Sequence, residues 1–313
     1  MYRIGVDLGG TNIAVGLVNE NFEIVKKATT PTLAKRTPEE IVGDIAKLCK
    51  KVVDDIGADL SCVSSIGVAS PGLVNSGSGV VEYANNLPFK NLRIVEMLKD
   101  LLSFENIKIA NDANAAALGE ATAGAAKGAT SSVMITLGTG VGGGVVIDGK
   151  LLTGFNFAAG ELGHIVIEVD GRPCTCGRRG CWETYSSATA LTAMTKEKIE
   201  ECRKSGRYTK MSEAEKVSGR TACDAMRAGD EAAKEVYDKY VYYLAIGLAN
   251  IINIFQPEVI SLGGGISGEG QSLIDALLPI VRKEQYGGTV VALTDIRIAK
   301  LGNDAGIIGA AML

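Results

Sequence analysis

One local pattern occurs twice in this chain: an apolar strand, a tight glycine loop, a second apolar strand, a turn and a third strand. The copies are "IGVDLGGTNIAVGLVNENFEIV" and "VMITLGTGVGGGVVIDGKLL". Asp7-Leu8-Gly9-Gly10-Thr11 lies over Thr136-Leu137-Gly138-Thr139-Gly140, and Asp148-Gly149 reads as a two-residue hairpin turn. Neither copy is a P-loop or a Rossmann fingerprint, because those set their glycines between a strand and a helix. Glycines in such a loop let backbone N–H groups approach an anion, and Thr11 and Thr139 add hydroxyl donors. Two facing loops suit a polyphosphate held from both sides. The plainer alternative is a pair of glycine-rich hairpins with no ligand.

The rest of the chain alternates helix and strand, which predicts an α/β fold of two related domains with a cleft between them. Residues 38 to 56 read as a helix capped by Thr37, with Ile41, Ile45, Leu48 and Val52 on one face. "VSSIGVASPG" reads as a strand ending in a turn, residues 91 to 103 as a helix, and "IKIAND" as a strand. Residues 187 to 205 and 228 to 255 read as helices, "EVISLGGGIS" as a strand and "GIIGAAML" as a short helix. The expected domains are 1–112, joined by the helix at 302–313, and 113–301.

A net charge of −4 and a pI near 5.3 give no electrostatic footprint for nucleic acid or anionic membrane. The N-terminus enters a strand at once, so no signal peptide is expected. The run from 240 to 257 carries Asn250 and Asn253 and closes on Pro257, which predicts a buried core helix and not a membrane span. A cytoplasmic protein is expected, and there clustered cysteines are more often metal ligands than disulfides.

Three of the seven cysteines fall in "GRPCTCGRRGCWE". With His164, the only histidine, Cys174, Cys176 and Cys181 make a Cys3His set, a full shell of the kind structural Zn²⁺ prefers. The expected zinc knuckle spans 164–181; a disulfide with a spare thiol, or free thiols, are the alternatives. Four protein ligands leave no open position, so such a metal shapes a site and does not catalyse. A single histidine rules out multi-histidine metal catalysis, and no G-x-S-x-G elbow accompanies it. Glu161 and Glu183 flank the knuckle, as sugar-hydroxyl acceptors or as solvated surface charge. Asn111 and Asp112 follow an apolar strand and precede a helix, where such folds open their ligand crevice. Asp112 is a candidate acceptor for a substrate hydroxyl proton, and also a candidate helix cap.

In their order "DLGGTN", "SPG", "NDANAAALGE", "LGTGVGGG", "GELGH", "CTCGRRGCWE" and "LGGGIS" resemble the ROK family of sugar kinases and regulators, from about residue 2 to 313. The resemblance implies an actin-like (RNase H-like) two-domain α/β fold with duplicated β-hairpin phosphate loops. It further implies transfer of the ATP γ-phosphate to a hexose, most like a bacterial glucokinase. Fructose, mannose or an N-acetylhexosamine are competing substrates, and a non-catalytic sugar sensor is a further alternative. Carried over by residue, the phosphate loops fall on Gly9, Gly10, Thr11 and Asn12 and on Thr139 and Gly140, and the adenosine side on Gly264 and Gly265. Asp7 is implied beside Mg²⁺, Asp112 as catalytic base, and Gly72, Asn86, Asn111, Asp112, Glu161, His164 and Glu183 as sugar contacts, with His164 also a zinc ligand. Phe89 departs from the Trp of many relatives. Only Met1 to Arg3 precede the first strand, so the DNA-binding domain of the family's repressors is not expected. A homodimer or homotetramer is expected. Loss of a cysteine ligand is expected to weaken sugar use more than ATP use, because the phosphate loops lie elsewhere in the chain.

Overall fold

The computed structural model describes residues 1–288 and 290–313. Strands β1 (Tyr2–Leu8), β2 (Asn12–Val18) and β3 (Ile24–Pro31) open the chain and lead to helix α1 (Pro38–Asp54). Next come β4 (Val63–Ser70) and a small meander of β5 (Leu73–Asn75), β6 (Val80–Tyr83) and β7 (Lys90–Leu92). Helix α2 (Ile94–Leu102), β8 (Ile107–Asn111) and helix α3 (Asp112–Thr122) follow. The opening pattern then recurs as β9 (Ser132–Leu137), β10 (Val141–Ile147) and β11 (Lys150–Leu151). Helices α4 (Glu183–Ser186), α5 (Ala188–Ser205), α6 (Thr221–Arg227) and α7 (Glu231–Phe255) precede β12 (Val259–Gly263). Helix α8 (Gln271–Glu284), β13 (Asp295–Ile298) and helix α9 (Ala305–Ala311) complete the chain.

The first sheet has the order β3-β2-β1-β4-β8 and the second β11-β10-β9-β12-β13. This is one strand order used twice, so the duplication visible in the two loops extends to whole sheets. In the first, β1 is antiparallel to β2 and parallel to β4, and β4 is parallel to β8. In the second, β12 and β13 are parallel, and β10 turns into β11 through Asp148 and Gly149, both at positive φ. Positive φ at both central residues is the type I′ hairpin that an Asp-Gly pair favours.

The described residues divide into two compact units: Met1–Met134 with Gly144–Gly160 and Ala299–Leu313, and Ile135–Gly143 with Glu161–Ile298. The first unit thereby includes α3, beyond the boundary expected at residue 112. Within it, α1 packs on β2, β3 and α2 and buries Ile41, Ile45, Leu48 and Val52. Thr37 caps α1, and Glu40 returns the bond to the cap backbone, a reciprocal box that satisfies two helix-end donors. Helix α9 packs against α3, β1 and β4. Its glycines and alanines let backbones approach closely: a β-carbon on Gly309 would overlap the Ala115 carbonyl. The fully buried carboxylate of Glu120 braces this packing, accepting from the backbone N–H groups of Ala125 (2.6 Å), Lys300 (3.0 Å) and Leu301 (2.7 Å).

In the second unit, α7 begins at Glu231, later than the expected 228, because Asp230 supplies the cap, accepting from Ala233 N at 3.0 Å. The residues just before it form α6. The apolar run from 240 is helical to Phe255 and lies in the core through Tyr240, Leu244, Leu248 and Ile252. Trp182 is fully buried against Gly247 and donates to the Tyr243 carbonyl at 3.0 Å. No described helix is long and apolar enough to cross a membrane.

Candidate active site

In the first unit the loop Gly9-Gly10-Thr11 joins β1 to β2. Gly9 N donates to Asn12 O at 2.9 Å, and Thr32 ties the loop down by donating from N to Thr11 O (2.8 Å) and from Oγ1 to Gly9 O (2.6 Å). Thr11 and Asn12 are exposed, as a loop that receives a ligand requires. Gly10 lies beside Asn86, whose Cβ would be 3.3 Å from a β-carbon at position 10. Asn86 sits in a turn closed by Ala84 N donating to Phe89 O at 3.2 Å. Phe89 itself is buried in the core, so it supports this turn from below and exposes no ring to a ligand.

Asp7 is the penultimate residue of β1, and Asn111 ends the parallel β8, two positions over in the sheet. Asn111 is the cap of α3, its Oδ1 accepting from Ala113 N (2.9 Å) and Asn114 N (3.3 Å). That corrects the reading of Asp112 as cap: it is the first residue of the helix, exposed, with Oδ1 accepting from Ala113 N at 2.9 Å. Asn111 also donates from Nδ2 to Gly72 O at 3.1 Å. Gly72 is at φ 97°, and a β-carbon there would overlap the Tyr83 carbonyl, so the turn after β4 admits no side chain. Burial pushes the Asp7 carboxyl up to about 6, and the nearby charge of Asp112 adds to the effect. Lys27 works against it, and Asp304, which pairs with Lys27, adds to it. Gly306 of α9 packs directly on the Asp7 carboxyl, 2.9 Å separating Asp7 Cγ from the place of a β-carbon. Sequence reasoning missed Asp304 and Gly306; they are nearly three hundred positions from Asp7 and have no local signal.

In the second unit the loop Gly138-Thr139-Gly140 joins β9 to β10 and has the same length as the first. Thr139 is exposed. Gly264, at the end of β12, rests against the Leu137 backbone, and Gly265 faces open space.

His164, Cys174, Cys176 and Cys181 come together, with one ligand atom from each lying within 4.8 Å of every other. His164 Nδ1 is 3.6 Å from Cys174 Sγ, and Cys176 Sγ is 3.6 Å from Cys181 Sγ. The ligand edges of tetrahedral Zn²⁺ are about 3.5–3.8 Å for its usual bond lengths, so the cluster fits that ion. A disulfide at about 2.05 Å does not fit, and all seven cysteines are free thiols. The loop is closed by Cys174 N donating to Arg178 O (2.9 Å) and Gly177 N to Cys174 O (3.0 Å). The backbone N–H of Arg178 draws the Cys176 thiol down to about 6, whereas burial pushes Cys181 up to about 11. Nδ1 faces the cysteines, which leaves Nε2 as the outward nitrogen of His164. Glu161 is exposed just before the turn Leu162–His164, and Glu183 begins α4 immediately after Trp182.

Duplicated sheets of this order, each with a short glycine loop, define an actin-like sugar-kinase fold. The chain belongs to the ROK family, whose model matches residues 3–313. It is 38% identical to a glucokinase of Thermotoga maritima, covering 99% of this chain and 96% of that protein. It is 32% identical to an N-acetyl-D-glucosamine kinase of Aliivibrio salmonicida, covering 99% and 98%. Among solved structures, a ROK family glucokinase from Streptomyces griseus in complex with glucose and AMPPNP superposes with a TM-score of 0.80 at 31% identity, covering 100% of this chain and 98% of that one.

Proposed function

We propose that this protein transfers the γ-phosphoryl group of ATP to a hexose, converting glucose to glucose 6-phosphate, as a cytoplasmic enzyme acting as a homodimer or homotetramer. The observation that carries the reading is the exposed Asp112 carboxylate at the carboxyl end of β8, with Asp7 and the Gly9–Thr11 loop in the same unit. Phosphoryl transfer asks little covalent chemistry of a protein; it asks for positioning, charge stabilisation and a group to take the nucleophile's proton.

Asp112 takes that proton from the sugar hydroxyl as the oxygen attacks phosphorus, and the bond to the β-phosphate oxygen breaks to release ADP. Asn111 orients the sugar, because its cap bonds and its bond to Gly72 O lock the side chain in one rotamer. Gly72, Asn86, Glu161, His164 Nε2 and Glu183 contribute further sugar contacts. Backbone N–H groups of Gly9–Asn12 and Thr139–Gly140 receive the phosphates, and Gly264 and Gly265 receive the adenosine side. Asp7 would stand beside the Mg²⁺ that accompanies ATP; near pH 7, above its value of about 6, it is mostly ionised and suited to a cation. His164, Cys174, Cys176 and Cys181 would hold one Zn²⁺, which would fix the imidazole's tautomer and orientation.

The likeness to an N-acetyl-D-glucosamine kinase makes that sugar the competing substrate. A coupled ADP-release assay over glucose, mannose, fructose and N-acetylglucosamine separates them. Glucose is expected to give the highest kcat/KM; a higher value for N-acetylglucosamine overturns the assignment, and no turnover with any of them overturns the kinase reading.

A further inference from the structure

The carboxylate of Glu183 is shared between two parts of the second unit. Oε2 accepts from the backbone N–H of Val141 at 3.0 Å, the first residue beyond the loop Gly138-Thr139-Gly140. Oε1 lies 3.9 Å from Cys174 Sγ, which is itself 3.6 Å from His164 Nδ1. The same carboxylate fills the space that a β-carbon on Gly140 would need. Glycine at that position is therefore demanded by Glu183, independently of any phosphate. The segment just after Glu183 holds the remaining loop residues: Ala188 N donates to Gly138 O at 2.9 Å, and Thr189 Oγ1 donates to Thr139 O at 2.8 Å. Gly138, Thr139 and Val141 are thus each bonded, and Gly140 closely approached, by a stretch of chain that starts two positions after Cys181.

We infer that Glu183, beyond any contact with sugar, is a positioning residue that ties the second phosphate loop to the Cys3His segment, by bonding Val141 from a position two residues after Cys181 in the chain. The inference rests on the kinase reading, and it adds a weakening of nucleotide binding to the expected loss of sugar use. The loop is remote from the cysteines in sequence but adjacent to them through one side chain, so nucleotide affinity depends on the cluster's integrity even when no sugar is bound.

The test is equilibrium titration with a fluorescent non-hydrolysable ATP analogue and Mg²⁺, without sugar, on the full chain and its variants. Glu183→Ala removes the charge-assisted bond to Val141 N–H and is expected to weaken analogue binding by about fivefold or more. Glu183→Gln keeps an acceptor for Val141 and is expected to restore part of that loss; it also carries the test if the alanine variant fails to fold. Amide hydrogen exchange at Val141 is expected to rise about tenfold in the alanine variant. In steady state the loss should appear in KM for both substrates. An unchanged analogue affinity with weakened sugar binding would mean that Glu183 is a sugar contact alone, and overturns the inference. Tighter analogue binding overturns it as well, since removal of a negative charge would then outweigh loss of the tie. Failure of the wild-type protein to bind the analogue at all would instead remove the kinase reading on which the inference stands.

Discussion

At the scale of single residues, the two carboxylates of the first unit make separate forecasts. Asp112→Asn keeps the shape of the side chain and its acceptor for Ala113 N–H but removes the base. Its kcat should fall by at least ~10²-fold while the dissociation constant for glucose changes little. Since Asn111 is the cap, this variant should unfold at nearly the wild-type denaturant midpoint; a large stability loss with retained kcat would return Asp112 to a structural role. Asp7 tests differently. Its carboxyl is raised from 3.8 to about 6 in the fold, so the folded state binds its proton more tightly than the unfolded chain does. The resulting destabilisation is absent below pH 3.8, grows as pH rises through 6 and is complete above it. Asp7→Asn should therefore raise unfolding free energy by about 1–3 kcal/mol at pH 7.5, with the gain vanishing toward pH 4, while activity is lost. A gain that is independent of pH would show that the Asp7 charge is not what costs stability. Asn111 and Asp112 were legible because polar residues at the end of an apolar strand are a local signal. The Asp304 and Gly306 surroundings of Asp7 were not, because only the packing of α9 beside β1 brings them there.

At the scale of elements, legibility followed the same rule. Helix α1 was readable from Thr37, Pro38 and the spacing of its apolar face, all within one segment. Helix α9 was readable as a short apolar helix packing back on the N-terminal domain; which elements it meets there was not, because backbone-close contacts of glycine and alanine leave no local signal. Its placement depends on backbone proximity: β-carbons on Gly5 or Gly67 would overlap carbonyls of α9, and one on Gly309 would overlap Ala115. Gly309→Ala should accordingly lower the unfolding free energy by about 1–3 kcal/mol in a denaturant titration, although alanine is the better helix former by about 1 kcal/mol. It should also reduce kcat, because Gly306 of the same helix packs on Asp7. Wild-type stability in this variant would mean that the close approach of α9 to α3 is not present in solution. The two hairpin loops were legible as glycine-rich turns in repeated order. That each belongs to a sheet of identical strand order was not, because strand order is set by long-range pairing that no local pattern encodes.

At the scale of the whole molecule, the proposed zinc site predicts that metal content and the use of both substrates change together. Replacing Cys176 by Ser should abolish zinc, against about one per wild-type chain purified under reducing, chelator-free conditions. KM for sugar should rise strongly, and nucleotide binding should weaken with it through Glu183 and Val141. Zinc-free protein with normal kinetics would refute the metal's role; impairment by reductant alone would point to a disulfide. The cluster's composition was readable from cysteine spacing and a lone histidine, whereas its tie to the phosphate loop required knowing that Glu183 reaches both. If this ROK protein moves phosphate from ATP to glucose, each turnover yields one ADP and one glucose 6-phosphate. The direct measurement is product stoichiometry, with ADP followed by coupled assay and sugar phosphate by ³¹P NMR on the same reaction. Equal amounts of ADP and glucose 6-phosphate are expected from the wild-type protein, with both falling together in Asp112→Asn. ADP formed without phosphorylated glucose, or no glucose-dependent ADP at all, would contradict it.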